Sequence, residues 1–297
     1  MLFRSPDRLT VTAPASSANL GPGFDCLAVA LELRNRVEIT AGGGGEASVS
    51  VEGEGAGRVP RDGSNLFVHA FASVGADPAG LAFAMQNAVP FARGLGSSAA
   101  TIAAGVAAGL AWQGRYADDA LPSAAALEGH PDNVAAALLG GITLAWTTTG
   151  GARALRLSGC AVEFVAVVAA EELATERARA ALPAQVGHAD AVHTAARAAL
   201  LVAALQQGRT DTLADALDDR LHEPYRAPLV PLLQAVRERL PGLPAFGATL
   251  SGAGPSVLVW CEPGAAKAVS VALDDVDGRA LPLRVAERGV TLDRAAP

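Results

Sequence analysis

The most constraining stretch of this chain is Pro90-Phe-Ala-Arg-Gly-Leu-Gly-Ser-Ser-Ala-Ala100. The apolar run before it, Leu81 to Val89, reads as a strand, and the Ala-rich run after it, Ala99 to Trp112, reads as a helix. A chain that passes from strand to helix through Gly94, Gly96, Ser97 and Ser98 builds an anion cradle. Glycine lets the backbone approach a phosphate closely, and the free N–H groups and dipole of a helix start favour negative charge. Ser97 and Ser98 have three uses there: capping the helix, bonding phosphate oxygens, or ligating a metal. The loop carries neither the Gly-Lys-Ser/Thr of a Walker loop nor a GxGxxG fingerprint, and a lone glycine-rich turn is also an ordinary structural device.

Composition narrows the setting. At 297 residues, with 51% hydrophobic and 18% charged side chains, the chain has material for one large or two ordinary globular domains. The net charge of −7 argues against a nucleic-acid partner. Cys26, Cys160 and Cys261 stand far apart with no metal-ligand spacing, so they read as free thiols of a reducing compartment. Arg4, Pro6, Asp7 and Arg8 occupy the place where a secretion signal needs an apolar run, and Ala99 to Trp112 is shorter than the ~20 residues that span a bilayer. A cytoplasmic protein with no membrane partner is expected. Lys267 is the only lysine among the 23 basic residues, so any lysine-dependent chemistry must use it.

The pattern predicts strands over Leu9–Ala13, Arg36–Thr40, Ala47–Val51 and Ile142–Trp146, and helices over Pro122–Leu127 and Asn133–Leu139. Thr147 to Ala152 reads as a linker. Beyond it come a strand at Val162–Val168, mostly helix to Leu240, strands near Ala248–Leu250 and Ser256–Trp260, a helix at Ala265–Leu273 and a last strand near Leu283. This segregation predicts two α+β domains, 1–150 and 151–297.

Three segments, taken in order, resemble the motifs of the GHMP kinases. Pro14-Ala-Ser-Ser-Ala-Asn-Leu-Gly-Pro-Gly-Phe-Asp25 resembles the first, the Pro90–Ala100 loop the second, and Gly247-Ala-Thr-Leu-Ser-Gly-Ala-Gly-Pro-Ser256 the third. They span residues 14 to 256. The resemblance implies the two-domain GHMP kinase fold, with a ribosomal protein S5 domain 2-like N-terminal domain and a ferredoxin-like C-terminal domain. It also implies ATP and Mg²⁺, a site between the domains, and a homodimer.

Within the family, SANLGPGFD is similar to the homoserine kinase form, which implies phosphoryl transfer from ATP to the L-homoserine hydroxyl on the way to threonine. The nucleotide loop is then Pro90, Phe91, Ala92, Arg93, Gly94, Leu95, Gly96, Ser97, Ser98, Ala99 and Ala100, with Asn65 nearby. Glu128 in Glu128-Gly-His-Pro-Asp-Asn133 is implied as the magnesium ligand, with Ser97 or Ser98 as its hydroxyl partner. His130, Asp132 and Asn133 fall on the substrate side. Seen alone, Pro131-Asp132-Asn133 is simply a good helix start. Asn19 and Asp25 are implied in the acceptor pocket, and a partly buried Asp25 suits an ammonium group. Arg179 and Arg226 match positions that hold the acceptor carboxylate, since guanidinium grips carboxylate bidentately. Arg177 and Arg93 have a weaker claim. Ala28 departs from the family's usual Gly and puts nothing catalytic in doubt. A mevalonate- or shikimate-type kinase, and a ligand-binding sensor on the same fold, are the competing readings.

Overall fold

The computed structural model describes residues 7–42, 44–115, 120–157 and 161–294, so Cys160 lies outside the described residues; Cys26 and Cys261 are free thiols. Six strands open the chain: β1 (Arg8–Asn19), β2 (Gly23–Ala41), β3 (Ser48–Gly53), β4 (Leu81–Asn87), β5 (Ile142–Thr148) and β6 (Gly151–Leu157). Four more follow, β7 (Glu163–Val168), β8 (Ala245–Leu250), β9 (Val257–Cys261) and β10 (Arg279–Leu283), and β11 (Thr291–Arg294) ends the described chain.

The first sheet runs β11-β1-β2-β4-β3, with β5 and β6 continuing from a second stretch of β2. The 19-residue length of β2 makes this fork possible: Arg36–Ala41 pair with β4, while Leu27–Val29 pair with β5. The helix Ser97–Trp112 lies behind this sheet, and it is buried on nearly all sides, as an Ala-rich helix with no polar face must be. It shares a core with the helix Leu66–Ser73 and with Leu9, Val11, Ile39 and Phe83 of the strands.

The second sheet has the order β10-β7-β9-β8, all antiparallel. Numbered within itself this is 4-1-3-2, and the connections are helical between β7 and β8, a hairpin between β8 and β9, and the helix Ala266–Ala272 between β9 and β10. That is the ferredoxin-like split βαβ arrangement. Alternation along β7 feeds two cores: Val165 and Val167 join Leu233, Val236 and Val269, while Phe164 and Ala166 join Trp260 and Leu205. The second of these cores also contains Leu27, Val29 and Leu31 of β2, so one apolar cluster is common to both sheets.

The stretch expected to be a linker, Thr147 to Ala152, is the turn of the β5–β6 hairpin, paired from Ile142–Leu157 to Thr148–Gly151. Both strands of that hairpin lie in the first sheet, and β11 returns to pair with β1. The Thr- and Gly-rich run resembles a flexible connector in sequence, yet Thr149 and Gly150 make a tight reversal and Gly151 already begins β6. Among the described residues no helix is long and apolar enough to cross a membrane.

Candidate active site

The three glycine-bearing segments meet at one cleft of about 430 Å³ between the two sheets. The first segment is the β1–β2 turn, the second enters the helix Ser97–Trp112, and the third is the β8–β9 turn. They are stitched together directly. Ser251 Oγ lies 2.6 Å from the Gly94 carbonyl and 2.8 Å from Ser17 Oγ. The Gly252 N–H donates to Ala18 O at 3.1 Å, and Asn19 Nδ2 donates to Gly252 O at 2.7 Å. The Ser16 N–H donates to Leu95 O at 3.1 Å.

The loop geometry requires its glycines. Gly96 precedes the helix with φ of +66°, and a Cβ there would sit 2.1 Å from Ser16 Oγ. Gly94 has φ of +75°, and its Cβ would meet Ser251 O at 2.4 Å. Of the three uses open to the serines, side-chain capping is not realised: Gly96 is the N-cap and no side chain caps the first turn. The uncapped N–H groups are therefore available to an anion. Phe91, Ala92, Arg93, Gly94, Gly96, Ser97 and Ser98 line the cleft. Pro90, Leu95, Ala99 and Ala100 are buried behind them and shape the loop from inside.

Asn65 is not brought to the cleft lining. Its Oδ1 caps the helix Leu66–Ser73 by accepting from the Phe67 N–H at 2.9 Å, and its Nδ2 donates to Pro60 O. Its amide is buried and bonded through both its oxygen and its nitrogen. Arg93 is likewise committed: Nε donates to Ala169 O, a terminal nitrogen to Ala170 O, and Glu172 stands 3.1 Å away. It braces the loop against the second sheet rather than offering a free guanidinium.

Glu128 ends the helix Ala120–Glu128 and faces the start of the helix Ser97–Trp112. Ser98 Oγ donates to Glu128 Oε2 at 2.8 Å. Burial pushes the Glu128 carboxyl above its ordinary range, and the Ser98 hydroxyl opposes that. A hydroxyl and a carboxylate side by side at a phosphate cradle fit the oxygen-ligand chemistry of Mg²⁺, which takes one or two carboxylates and completes its shell with phosphates and water. No group of three or more acidic, His or Cys side chains suited to a metal occurs among the described residues. Ser98 and Glu128 supply two protein oxygens, which leaves the further ligands of such an ion to phosphates and water.

Beside Glu128, the turn into the helix Asp132–Leu139 holds the next three predicted residues. His130 Nδ1 lies 2.8 Å from Asp132 Oδ1, which also accepts the Asn133 N–H. The Asp132 carboxylate raises the His130 pKa, and burial opposes it. Ser16 Oγ donates to Asn133 Oδ1 at 2.8 Å, leaving the Asn133 NH₂ to the cleft.

The acceptor end carries the arginines. Arg226 is 1% exposed. Its guanidinium finds only long contacts, at 3.3 Å to Ala178 O, 3.4 Å to His222 Nδ1 and 3.5 Å to Gly252 O. Burial, and then the nearby Arg179 charge, push its pKa below the ordinary arginine range. A buried guanidinium without a short bond to a carboxylate carries a desolvation cost that an anion in the cleft would offset. Asp25 and Arg179 were expected to grip opposite ends of a ligand, but here they grip each other. Arg179 donates to Asp25 Oδ2 at 3.0 Å and Oδ1 at 2.8 Å, a two-pronged pair. Arg177 does not line the cleft.

Phe24 escaped the sequence reading. Its ring stacks on His222 at 5.1 Å, and the Arg226 and Arg179 guanidinium carbons lie 5.2 and 5.8 Å from its centroid. Such cation–π contacts hold planar cations in place. The available signal was its position inside the first motif, directly before Asp25. Among the described residues, three of the four non-glycine residues with positive φ, Asn19, Asp25 and Ala92, line this cleft, as strained backbone at functional sites does.

A fold of this kind, with an anion-binding helix start, a hydroxyl–carboxylate pair and an acceptor end between two sheets, is that of a small-molecule kinase. Residues 65–141 match the GHMP kinases N terminal domain and residues 201–276 the GHMP kinases C terminal domain. The homoserine kinase of Streptomyces coelicolor is 43% identical over 292 residues, covering 95% of this chain and 93% of that protein. That of Deinococcus radiodurans is 45% identical over 265 residues, 86% of this chain and 85% of its own. The crystal structure of homoserine kinase from Cytophaga hutchinsonii superposes with a TM-score of 0.85 at 25% identity, covering 99% of this chain and 100% of that one. The chain belongs to the GHMP kinase family, and within it to the homoserine kinases.

Proposed function

We infer that this protein is a homoserine kinase: it transfers the γ-phosphoryl group of ATP to the side-chain hydroxyl of L-homoserine, giving ADP and O-phospho-L-homoserine. The single observation that carries the reading is the buried Arg226 guanidinium without a short bond to a carboxylate, set beside Asp25 at the far end of a phosphate cradle. An acceptor with an ammonium and a carboxylate on one carbon fits both groups. Mevalonate and galactose offer no ammonium for Asp25.

The first-turn N–H groups, Ser97 and Ser98 take the triphosphate. Ser98 and Glu128 would hold Mg²⁺, which neutralises charge on the phosphates. Asp25 takes the ammonium, Arg179 and Arg226 the carboxylate, and Asn133 faces the hydroxyl. The acceptor oxygen forms the new bond to phosphorus as the bond to the β–γ bridging oxygen breaks. Phosphoryl transfer passes through a loose transition state, so the hydroxyl proton leaves late, to an oxygen of the transferred phosphoryl group or to water, and no strong base is required. Positioning and charge stabilisation supply the rate.

Lysine-assisted deprotonation, the mevalonate-type alternative, would depend on Lys267. That side chain is exposed on the helix Ala266–Ala272 and is absent from the cleft lining. Lys267→Ala is expected to keep kcat within about twofold, as surface substitutions do. A loss of several orders of magnitude in steady-state turnover would restore a lysine-assisted base. As an assembly we propose a homodimer, the state that the family resemblance implies. The functional reading is tested by ³¹P NMR of the reaction mixture: a phosphomonoester on homoserine is expected to grow in step with ADP. Binding of ATP and homoserine with no product would favour a sensor instead.

A further inference from the structure

Asp25, Arg179 and Arg226 stand close together at one end of the cleft, with Asp132 acting on both arginines, and the first two pair directly. Asp25 is held by both terminal nitrogens of Arg179, on a pair that is roughly two-fifths exposed, so either partner is free to swing. Arg226 is fixed, being buried and packed on Phe24. The ammonium of a ligand cannot take Asp25 at full strength while Arg179 holds it, and a ligand carboxylate cannot use both arginines while Arg179 is turned to Asp25. We propose that the Asp25–Arg179 pair is a latch that only a zwitterion opens: the ligand ammonium replaces Arg179 on Asp25, and the released Arg179 joins Arg226 on the ligand carboxylate.

This rests on the acceptor reading above and deepens it. The specificity comes from exchange rather than from the presence of complementary groups. A ligand carrying one charge must break the bidentate pair and leave one member unpaired, whereas a ligand carrying both replaces each broken contact by a new one. Ion pairs of this exposure are individually modest, so the latch acts as a filter worth a small factor for each half of the ligand. Phe24 gives the moving guanidinium a surface on which to slide, since its ring already lies near both arginines.

The latch makes a counterintuitive prediction for binding. In Asp25→Asn, Arg179 is no longer tied up, so 4-hydroxybutanoate, which has the carboxylate and hydroxyl but no amine, is expected to bind about fivefold tighter than to wild type. L-Homoserine should show no such gain, because the same variant removes the carboxylate that would take its ammonium. The gain must depend on the freed arginine: in Asp25→Asn/Arg179→Gln it should vanish. Titration calorimetry reads all three proteins. No gain in the single variant overturns the latch, and so does a gain that survives in the double variant, since that would be a general charge effect. Should Asp25→Asn fail to fold by circular dichroism, Arg179→Gln gives the mirror test. It frees Asp25, so 2-amino-1,4-butanediol, which lacks the carboxylate, should bind about fivefold tighter than to wild type, and an unchanged or weaker affinity overturns the proposal. Wild-type turnover with homoserine is run alongside. Its absence would sink the functional reading, while the analogue affinities still decide the latch.

Discussion

Glu128→Gln is expected to lower kcat by roughly a hundredfold or more while moving the KM for ATP by a much smaller factor. The amide keeps the shape of the side chain and can still meet Ser98 Oγ, now 2.8 Å from the carboxylate. What it loses is the negative charge. That charge is costly where it stands, because burial already pushes the Glu128 carboxyl up, and a divalent cation is the partner that would relieve it. In the proposed arrangement ATP is held mainly by the uncapped helix start at Gly96 and by Ser97, which the substitution does not touch. The measurement is kcat and KM for ATP across a Mg²⁺ titration. Wild-type kcat at ordinary Mg²⁺ would remove Glu128 from the metal.

Arg226→Lys is expected to raise the KM for homoserine about 10- to 150-fold, the equivalent of losing about 1.5–3 kcal/mol of hydrogen bonding to a charged group. The KM for ATP should barely change. Lysine keeps the charge but loses the planar fork and the stacking on Phe24, 5.2 Å from the guanidinium carbon. Some loss of kcat should accompany the KM change, because the carboxylate grip also aims the hydroxyl. Homoserine methyl ester should lose the same binding energy with wild type and lose little more with Arg226→Lys. That non-additivity ties the arginine to the carboxylate and not to stability in general. Normal homoserine binding, or penalties that simply add, would place the carboxylate elsewhere. The sequence alternatives are then poor, since Arg93 is committed to Ala169 and Ala170 and Arg177 stands outside the cleft.

Much of this was legible in the residues, and the reasons for the gaps are physical. The phosphate loop announces itself because Gly94 and Gly96 need a conformation that other residues avoid. The second sheet was readable because β7 and β9 are rich in Val, Phe and Trp, whereas β1 and β2 were seen only as Leu9–Ala13 and Arg36–Thr40. Of their remainders, Pro14–Asn19 is mostly Ala and Ser, which carry little strand signal, and Gly23–Asn35 opens with Gly23 and Asp25 and then runs through Leu and Ala, a pattern that does not separate strand from buried helix. β11 pairs with β1 across almost the whole chain, a contact that no local pattern encodes. Among site residues, type and rough place were legible, but partnership was not. The sequence offers Asn65 as a ligand-binding amide, and its service as a helix cap is visible only in the fold, which brings the Phe67 N–H to it. Asp25 and Arg179 are 154 residues apart, and nothing in either neighbourhood says that they meet.

The central claim is that this cleft selects a zwitterionic amino alcohol and phosphorylates it. Steady-state ADP release with Mg-ATP, measured over L-homoserine, mevalonate, galactose and shikimate at matched concentrations, tests it most directly. The account predicts a kcat/KM for L-homoserine far above the other three, which lack the ammonium that Asp25 requires. ADP release with homoserine no greater than with ATP alone, or an equal or higher kcat/KM for mevalonate, would contradict it.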